Sequence, residues 1–183
     1  MRNYFQKWRP KGHCPPRKPV KKILWSGLGA FVGILLIAGL EQLLRVDDRW
    51  NLFLIASFGA SAVLIYGAPQ AEFSQPRNLI GGHVLSALVG VSAALALPAH
   101  PVLACALAVS LAIMLMHVSR TMHPPGGATA LIAVIGGDSI RALGYGFVVT
   151  PVLSGALILL LIALLVNNLS RNSQRHYPVY WLQ

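Results

Sequence analysis

Most of this chain is apolar and nearly uncharged, in runs long enough to cross a lipid bilayer. Between positions 23 and 166 there are only five basic and five acidic residues, and most of them stand between the apolar runs. A helix of about 20 apolar residues spans the hydrocarbon core. Backbone amides and carbonyls find no water there, so the segments must pair these groups within themselves as helices. We therefore predict an all-α integral membrane fold.

The apolar runs alternate in length along the chain. In order they are long, short, long, then long, shorter, long, at 23–44, 52–68, 79–97, 102–118, 126–135 and 142–166. The run 126–135 gives a helix of about 15 Å, half of a membrane. Short runs that dip in and return leave four crossings, whereas short runs that cross make six. We predict a kink in the last run at Pro151, because proline removes a helix hydrogen bond.

The two halves of the chain resemble each other. The sequence GASAVL at 59–64 corresponds to GATALI at 127–132, and R-x-L-x-x-G-x-V-x-S from Arg77 corresponds to R-x-L-x-x-G-x-V-x-T from Arg141. This predicts a helical bundle of two pseudo-repeats, each a long helix, a short half-helix and a long helix. Four crossings make the repeats parallel and six make them inverted. The predicted parts are a tail at 1–22, a transmembrane domain at 23–167 with repeats at about 23–97 and 101–167, and a tail at 168–183.

The positive charge is concentrated in the N-terminal tail. Eight of the fifteen Lys and Arg residues lie between positions 2 and 22, where there is no acid. A net charge of +10 is also typical of nucleic-acid binders, but a basic tail ahead of apolar spans follows the positive-inside rule. With Arg171 and Arg175 after the last run, this predicts both tails in the cytoplasm and a multi-pass protein of the bacterial inner membrane. We expect the lipid bilayer, and no nucleic acid, as partner.

The starts of the two half-helices are the predicted binding site. A broken helix leaves amides unpaired at its N-terminus, where the helix dipole also favours an anion. Interrupted helices at matching positions of two halves mark the central site of many transporters. The amides belong to Gly59, Ala60, Gly126 and Gly127, and Ser61 and Thr129 add hydroxyl groups one turn further in. The alternative is that the glycines and alanines only allow close helix packing.

The motif His123-Pro124-Pro125 is the most specific local feature. An ionisable residue inside a membrane is a functional candidate, so His123 could gate the site, donate to an anion or change its charge. His83, in the third run, is a second candidate. Arg77 with Asn78, and Arg141, are predicted accessory residues at a pore mouth; an arginine there also fits a purely topological role.

Catalysis and metal binding find little support in the sequence. No serine lies in a GxSxG motif and no two carboxylates pair within a span. A metal site of His83, His117, His123 and Cys105 lacks ligand spacing. We predict no enzyme activity, no catalytic residue, no metal and no cofactor. Gly29 and Gly33 form a GxxxG pattern, which permits a homo-oligomer.

An ordered set of motifs resembles the HPP family of integral membrane proteins over roughly 23–167. The motifs are FGASA at 58–62, AP at 68–69, QPRN at 75–78, GGH at 81–83 and HPPGGATA at 123–130. The resemblance implies four membrane-spanning helices. A plant chloroplast-envelope branch of the family is associated with nitrite transport, which implies a small-anion transporter. The chain has Gln70-Ala71-Glu72-Phe73 where other members read Ser-Pro.

We therefore expect passage of a small inorganic anion, nitrite or a similar ion, between the two half-helices. The predicted substrate-binding residues are Gly59, Ala60, Ser61, His123, Pro124, Pro125, Gly126, Gly127 and Thr129. The alternative is a non-transporting membrane subunit or sensor in which the half-helices are a packing device.

Overall fold

Helices make up about three quarters of the chain that the structure, a computed structural model, describes at residues 12–44, 55–172 and 175–182. The all-α prediction is confirmed. In chain order the helices are α1 (Val20–Leu44), α2 (Ala56–Gly67), α3 (Pro76–Ala96), α4 (Pro101–Val118), α5 (Pro125–Ile135), α6 (Gly137–Leu143) and α7 (Ser154–Leu169). Among these residues, four segments are long and apolar enough to cross a membrane, at Val20–Gly39, Pro76–Ala96, Pro101–Val118 and Val148–Leu169.

Some predictions fall on parts of the chain that these ranges leave out. They concern most of the basic tail and the first residues of the run 52–68.

Two of the helices are half-length, as the sequence predicted. α2 has 12 residues and α5 has 11, so they extend about 18 and 16 Å at 1.5 Å per residue. α5 begins at Pro125, where a helix needs no amide donor. α2 begins at Ala56, after the predicted start of its apolar run.

The helices run in alternating directions between two ends of the bundle. We call the end that holds Lys22 the tail end. α2 finishes there, because Gly67 lines the same cavity as Lys22, and α4 returns there, because Arg77 donates to the Ser119 carbonyl at 2.6 Å. α3 ends at the opposite end, where Leu97 lines a cavity with Arg141.

The last helix returns to the tail end, so the segments before α1 and after α7 lie together. The side-chain amide of Asn167 donates to the Ile65 carbonyl at 3.0 Å, and Arg175 donates to the Lys22 carbonyl at 3.4 Å. The direction therefore alternates through α1, α2, α3, α4, α5 and α7, which favours six passages over four. Helices α1 to α3 then run opposite to α4, α5 and α7, as inverted repeats require; the repeat itself stays a prediction.

The chain between α5 and α7 differs from the prediction of one span at 142–166. Residues Gly137–Leu143 form the separate helix α6, which ends at Gly144 with a φ of 51°, a conformation that glycine adopts without strain. Arg141 is in the last turn of α6, and it does not stand directly before a long span as the predicted run 142–166 implied. The kink at Pro151 is confirmed, since Thr150 beside it is non-helical with φ −131° and ψ 120°.

One narrow face of α4 contacts the rest of the protein. Its buried side chains recur every fourth residue, at Ala104, Ala108, Ala112 and Met116, which is the spacing of one helix face. Most of the other side chains are apolar and exposed. In a membrane these exposed side chains face lipid, so α4 is an outer helix of the bundle.

Small residues set the contact between α3 and α5. A Cβ added at Gly126 would lie 2.6 Å from Ser86 Oγ and 2.8 Å from the Gly82 carbonyl oxygen. The two backbones therefore touch where α5 begins, as small residues permit between membrane helices.

The two glycines of the predicted GxxxG pattern contact another helix of the same chain. A Cβ at Gly29 would lie 2.7 Å from the Tyr66 ring, and one at Gly33 would lie 2.5 Å from the Tyr66 hydroxyl. The two glycines thus form a groove on α1 that receives Tyr66 of α2. A homo-oligomer stays a prediction.

Candidate functional site

Five buried polar side chains meet between the two half-helices. Each is at most 1% exposed, although a buried polar group is destabilising unless it is hydrogen-bonded. They come from α2, α3, the loop before α5, and α5, and we call them the polar network: Ser57, Ser61, His83, His123 and Thr129. Polar groups inside a membrane protein mark functional sites.

The network is a continuous chain of hydrogen bonds. Ser61 Oγ lies 2.7 Å from His83 Nε2 and 2.9 Å from His123 Nε2. His83 Nδ1 lies 2.7 Å from Thr129 Oγ1, which is hydrogen-bonded to Ser57 Oγ at 2.8 Å. None of the hydrogen-bond partners described for these groups is a carboxylate, so hydroxyl and imidazole groups make up the site.

The HPP loop, which we define as Ser119–Pro124, is fastened from three sides. His123 Nδ1 donates to the Phe73 carbonyl at 2.7 Å. Asn78 donates to the Met122 carbonyl at 2.8 Å, and Arg77 to the Ser119 carbonyl at 2.6 Å. Arg77 and Asn78, predicted at a pore mouth, thus hold the loop that carries His123.

The prediction of free amides at the start of α5 is wrong. The Gly126 amide donates to the His123 carbonyl at 2.8 Å, and the Gly127 amide to the Pro124 carbonyl at 3.1 Å. Pro124 has the helical φ of −50° and ψ of −38°, so the backbone turns before the helix begins and supplies these acceptors. The side chains, not the amides, carry the polar character of the site.

The amides of Gly59 and Ala60 are not at a helix start either. α2 begins at Ala56, which places both residues inside the helix, and both are exposed. A Cβ at Gly59 would meet no atom within 4 Å. The structure therefore leaves this pair outside the polar network.

The remaining predicted residues are dispersed. Pro125 and Gly126 are buried at the start of α5. Pro124 and Gly127 line an open cavity of about 640 Å³ together with Glu72, Phe73, Met122 and His117. Arg141 lines a cavity at the opposite end of α3 from Arg77. The two arginines therefore do not share one mouth.

Ser57 is the network residue that the sequence analysis missed. It lies four residues before Ser61, and both are on the buried face of α2. The i, i+4 spacing of two serines was the available signal. No sequence signal pointed to the Phe73 carbonyl that accepts a hydrogen bond from His123, because a backbone contact depends on tertiary structure.

A second buried cluster at the tail end was also missed. Arg175, 3% exposed, donates to the Tyr66 carbonyl and to Asn167 Oδ1, each at 2.8 Å. Burial lowers the pKa of this guanidinium, but arginine stays charged in proteins. A cation on a carbonyl of the last turn of α2 stabilises the negative end of that half-helix.

The C-terminal segment after α7 folds back over the tail end. Tyr177 donates its hydroxyl to the Ser74 carbonyl at 2.8 Å. The Val179 amide donates to Gln75 Oε1 at 2.8 Å, and Gln75 donates to the Pro69 carbonyl at 3.0 Å. This segment thereby fixes the link between α2 and α3, which includes Phe73.

The metal-ligating side chains considered above do not come together. In the ranges that the structure covers, no group of three or more His, Cys, Asp or Glu side chains is placed to hold a metal. His83 and His123 are adjacent, whereas His117 is exposed at the end of α4. Cys14 and Cys105 are both free thiols.

Comparisons with known proteins agree with the membrane fold. The family described as "HPP, transmembrane region" matches residues 15–178. Two transmembrane proteins of Dictyostelium discoideum are 48% and 49% identical over 97% of this chain. The chain spans 57% and 63% of their respective lengths. No solved structure matches.

Proposed function

The chain belongs to the family of the HPP transmembrane region, and on that premise we propose that it transports a small inorganic anion, such as nitrite, across a membrane. The binding site in this proposal is the polar network. One observation supports it: the N-terminal halves of two half-helices meet at a buried cluster of hydroxyl and imidazole groups that, among the described residues, bonds no carboxylate. Ser57 is the second residue of α2, and its hydroxyl is hydrogen-bonded to that of Thr129 in the second turn of α5.

The chemistry of the network suits an anion. Hydroxyl groups and imidazole N–H groups donate hydrogen bonds to anion oxygens, and the positive ends of two helix dipoles add a favourable field. A carboxylate would repel an anion, and none contacts the described network. A small monovalent oxyanion is therefore the substrate class that the site favours.

The network is closed in this conformation, since its side chains are at most 1% exposed. The open cavity lined by Glu72, Phe73, Pro124 and Gly127 is the access route in our proposal, and the Glu72 carboxylate is exposed there. His123 is bonded to the Phe73 carbonyl and adjoins Pro124, so its side chain separates the cavity from Ser61. Displacement of His123 would admit the anion.

Flux in reconstituted vesicles tests this function. The purified chain in lipid vesicles should move nitrite down its gradient faster than protein-free vesicles do. Ser61→Val with Thr129→Val removes two hydroxyls, and should abolish that flux when equal amounts of folded protein are compared. Ser110→Val, on the exposed face of α4, is the matched control. A double variant with wild-type flux would contradict the proposed site.

The second candidate is a non-transporting membrane subunit or sensor. It is favoured by the completeness of the network, because every member has a hydrogen-bond partner within the chain. In that case the network only holds α2 against α5. Vesicles with the wild-type protein would then show no flux above background, and the only effect of the two valine substitutions would be a loss of stability.

We also propose the bacterial inner membrane as location, with both tails cytoplasmic, from the basic N-terminal tail and the positive-inside rule. Lys22 of α1 and Arg175 after α7 lie together at the tail end, as this topology requires. The relatives named above come from Dictyostelium discoideum, so fractionation of the native membrane is the direct test.

A further inference from the structure

The Ser61 hydroxyl has too few protons for the acceptors around it. It lies within 2.9 Å of Nε2 of both His83 and His123, and the Ser57 carbonyl is a third partner at 3.2 Å. A hydroxyl donates a single proton. At least one of the two imidazole nitrogens must therefore carry a proton and donate it to Ser61.

The backbone fixes the protonation of one nitrogen of His123. Its Nδ1 faces the Phe73 carbonyl at 2.7 Å, and a carbonyl only accepts hydrogen bonds. Nδ1 therefore carries a proton in every state of this geometry. Neutral His123 then has a lone pair at Nε2, whereas the imidazolium has a second N–H there.

Two hydrogen-bond patterns satisfy these conditions. In the neutral pattern His83 Nε2 donates to Ser61 and Ser61 donates to His123, while Ser57 donates to Thr129 and Thr129 donates to His83 Nδ1. In the other pattern His123 is an imidazolium and donates to Ser61, Ser61 donates to His83 Nε2, and His83 Nδ1 donates to Thr129. Thr129 then donates to Ser57, at 2.8 Å. The second pattern holds one proton more and moves no heavy atom.

Among the described residues, no carboxylate contacts either imidazole to balance the added charge. The titratable or charged side chains of residues 56–135, besides His83 and His123, are Tyr66, Glu72, Arg77, His100, Cys105, His117 and Arg120; His100 and Arg120 are exposed. Tyr66 donates to the Leu159 carbonyl and Arg77 to the Ser119 carbonyl, while Glu72 and His117 are exposed. Among the described residues, none of these contacts either imidazole.

A buried cation without a partner is strongly destabilising inside a membrane protein. The protonated network is therefore favoured only when an anion binds with the proton. We infer that the polar network binds one proton together with each monovalent anion, so that transport is electroneutral proton–anion co-transport. The proton comes from water on the side from which the anion binds and is released with it. This inference rests on the function proposed above and names its coupling ion.

Wild-type protein in vesicles of phosphatidylcholine and phosphatidylglycerol gives the test. The lumen contains a pH-sensitive dye, valinomycin with a potassium gradient sets the membrane potential, and nitrite or nitrate is added outside. Protein-free vesicles supply the background, which for nitrite includes permeation of nitrous acid through lipid. We expect luminal acidification equal in moles to the anion taken up, stimulation by acid outside, and no response to the imposed potential.

His123→Gln keeps a group that reaches Ser61 but cannot take up the proton. Its flux should lose the acid stimulation and respond to the potential, whereas His100→Gln, exposed in the loop before α4, should behave as wild type. Should His123→Gln fail to fold, the number of protons that the wild-type protein moves with each anion still tests the coupling. Wild-type flux that follows the potential and carries no proton would overturn the coupling and leave the proposed function intact. No flux above protein-free vesicles would overturn the proposed function itself.

Discussion

The imidazole ring of His83 lies edge-on to that of His123, with the centroids 4.9 Å apart and the planes inclined by 60°. Phe58 contacts the His83 ring edge-on, with the centroids 5.3 Å apart, so packing holds His83 from two directions. In the part of the chain that the structure describes, no carboxylate bonds either histidine. The hydroxyls of Ser61 and Thr129 therefore fix the rings, and Ser61 connects them.

We predict that Ser61→Ala lowers both stability and flux. The change leaves two buried imidazole nitrogens without their partner, which costs about 1–3 kcal/mol in the free energy of unfolding. Thermal unfolding in detergent micelles and nitrite flux in vesicles measure the two effects. Ser110→Ala, whose hydroxyl is exposed and bonds only the Leu107 carbonyl, should change neither. A fully stable and active Ser61→Ala variant would remove Ser61 from the site.

A methyl group at the contact between α3 and α5 should destabilise the protein. A Cβ at Gly126 would lie 2.6 Å from Ser86 Oγ, and overpacking of this kind costs about 1–3 kcal/mol. Gly126→Ala should therefore lower the unfolding temperature. Gly59→Ala is the matched control in the other half-helix, because its Cβ would meet no atom within 4 Å. Alanine there should stabilise α2 by about 0.5–1 kcal/mol; equal effects at both glycines would contradict this packing.

The two arginines at corresponding sequence positions should differ when substituted. Arg77→Gln removes the donor to the Ser119 carbonyl, which we expect to cost about 1 kcal/mol. It should also speed hydrogen exchange in the HPP loop. Arg141→Gln, exposed on α6, should leave that loop unchanged. Exchange mass spectrometry resolves the two segments, and the same response to both changes would argue for a shared role.

Arg175→Gln should weaken the tail end of the bundle. The shorter side chain cannot replace the bonds to the Tyr66 carbonyl and Asn167, and unpaired buried acceptors cost about 1–3 kcal/mol. We expect a lower unfolding temperature and easier proteolysis of the C-terminal segment. Arg171→Gln, exposed after α7, is the control and should unfold like wild type. Unchanged proteolysis of the Arg175 variant would show that the segment is held by its other bonds.

Six passages predict a specific labelling pattern. With Cys105→Ser as background, Cys14 and a His176→Cys variant should react with an impermeant maleimide from one side of the membrane. A His100→Cys variant should react from the opposite side. All three positions are exposed. The comparison uses right-side-out and inverted vesicles. If Cys14 and the cysteine of His176→Cys react from different sides, this topology is excluded.

The sequence predicted helix positions well where the signal is local. The runs at 102–118 and 126–135 correspond to α4 (Pro101–Val118) and α5 (Pro125–Ile135) within one residue. Apolar length, proline and glycine act on neighbouring residues, so they can be read without knowing the fold. The same signals missed the break at Gly144, because apolar residues continue on both sides of it.

The chain by itself determined that this is a helical membrane protein with two half-helices and polar residues near their starts. Only the tertiary structure decided that His83 and His123, forty residues apart, share Ser61, and that Arg77 and Arg141 lie at opposite ends of α3. It also decided that the Gly126 amide is paired by the turn through Pro124. Apolar length fixes which segments enter the membrane. Which polar groups meet there depends on the direction and rotation of each helix, which close packing between distant segments sets.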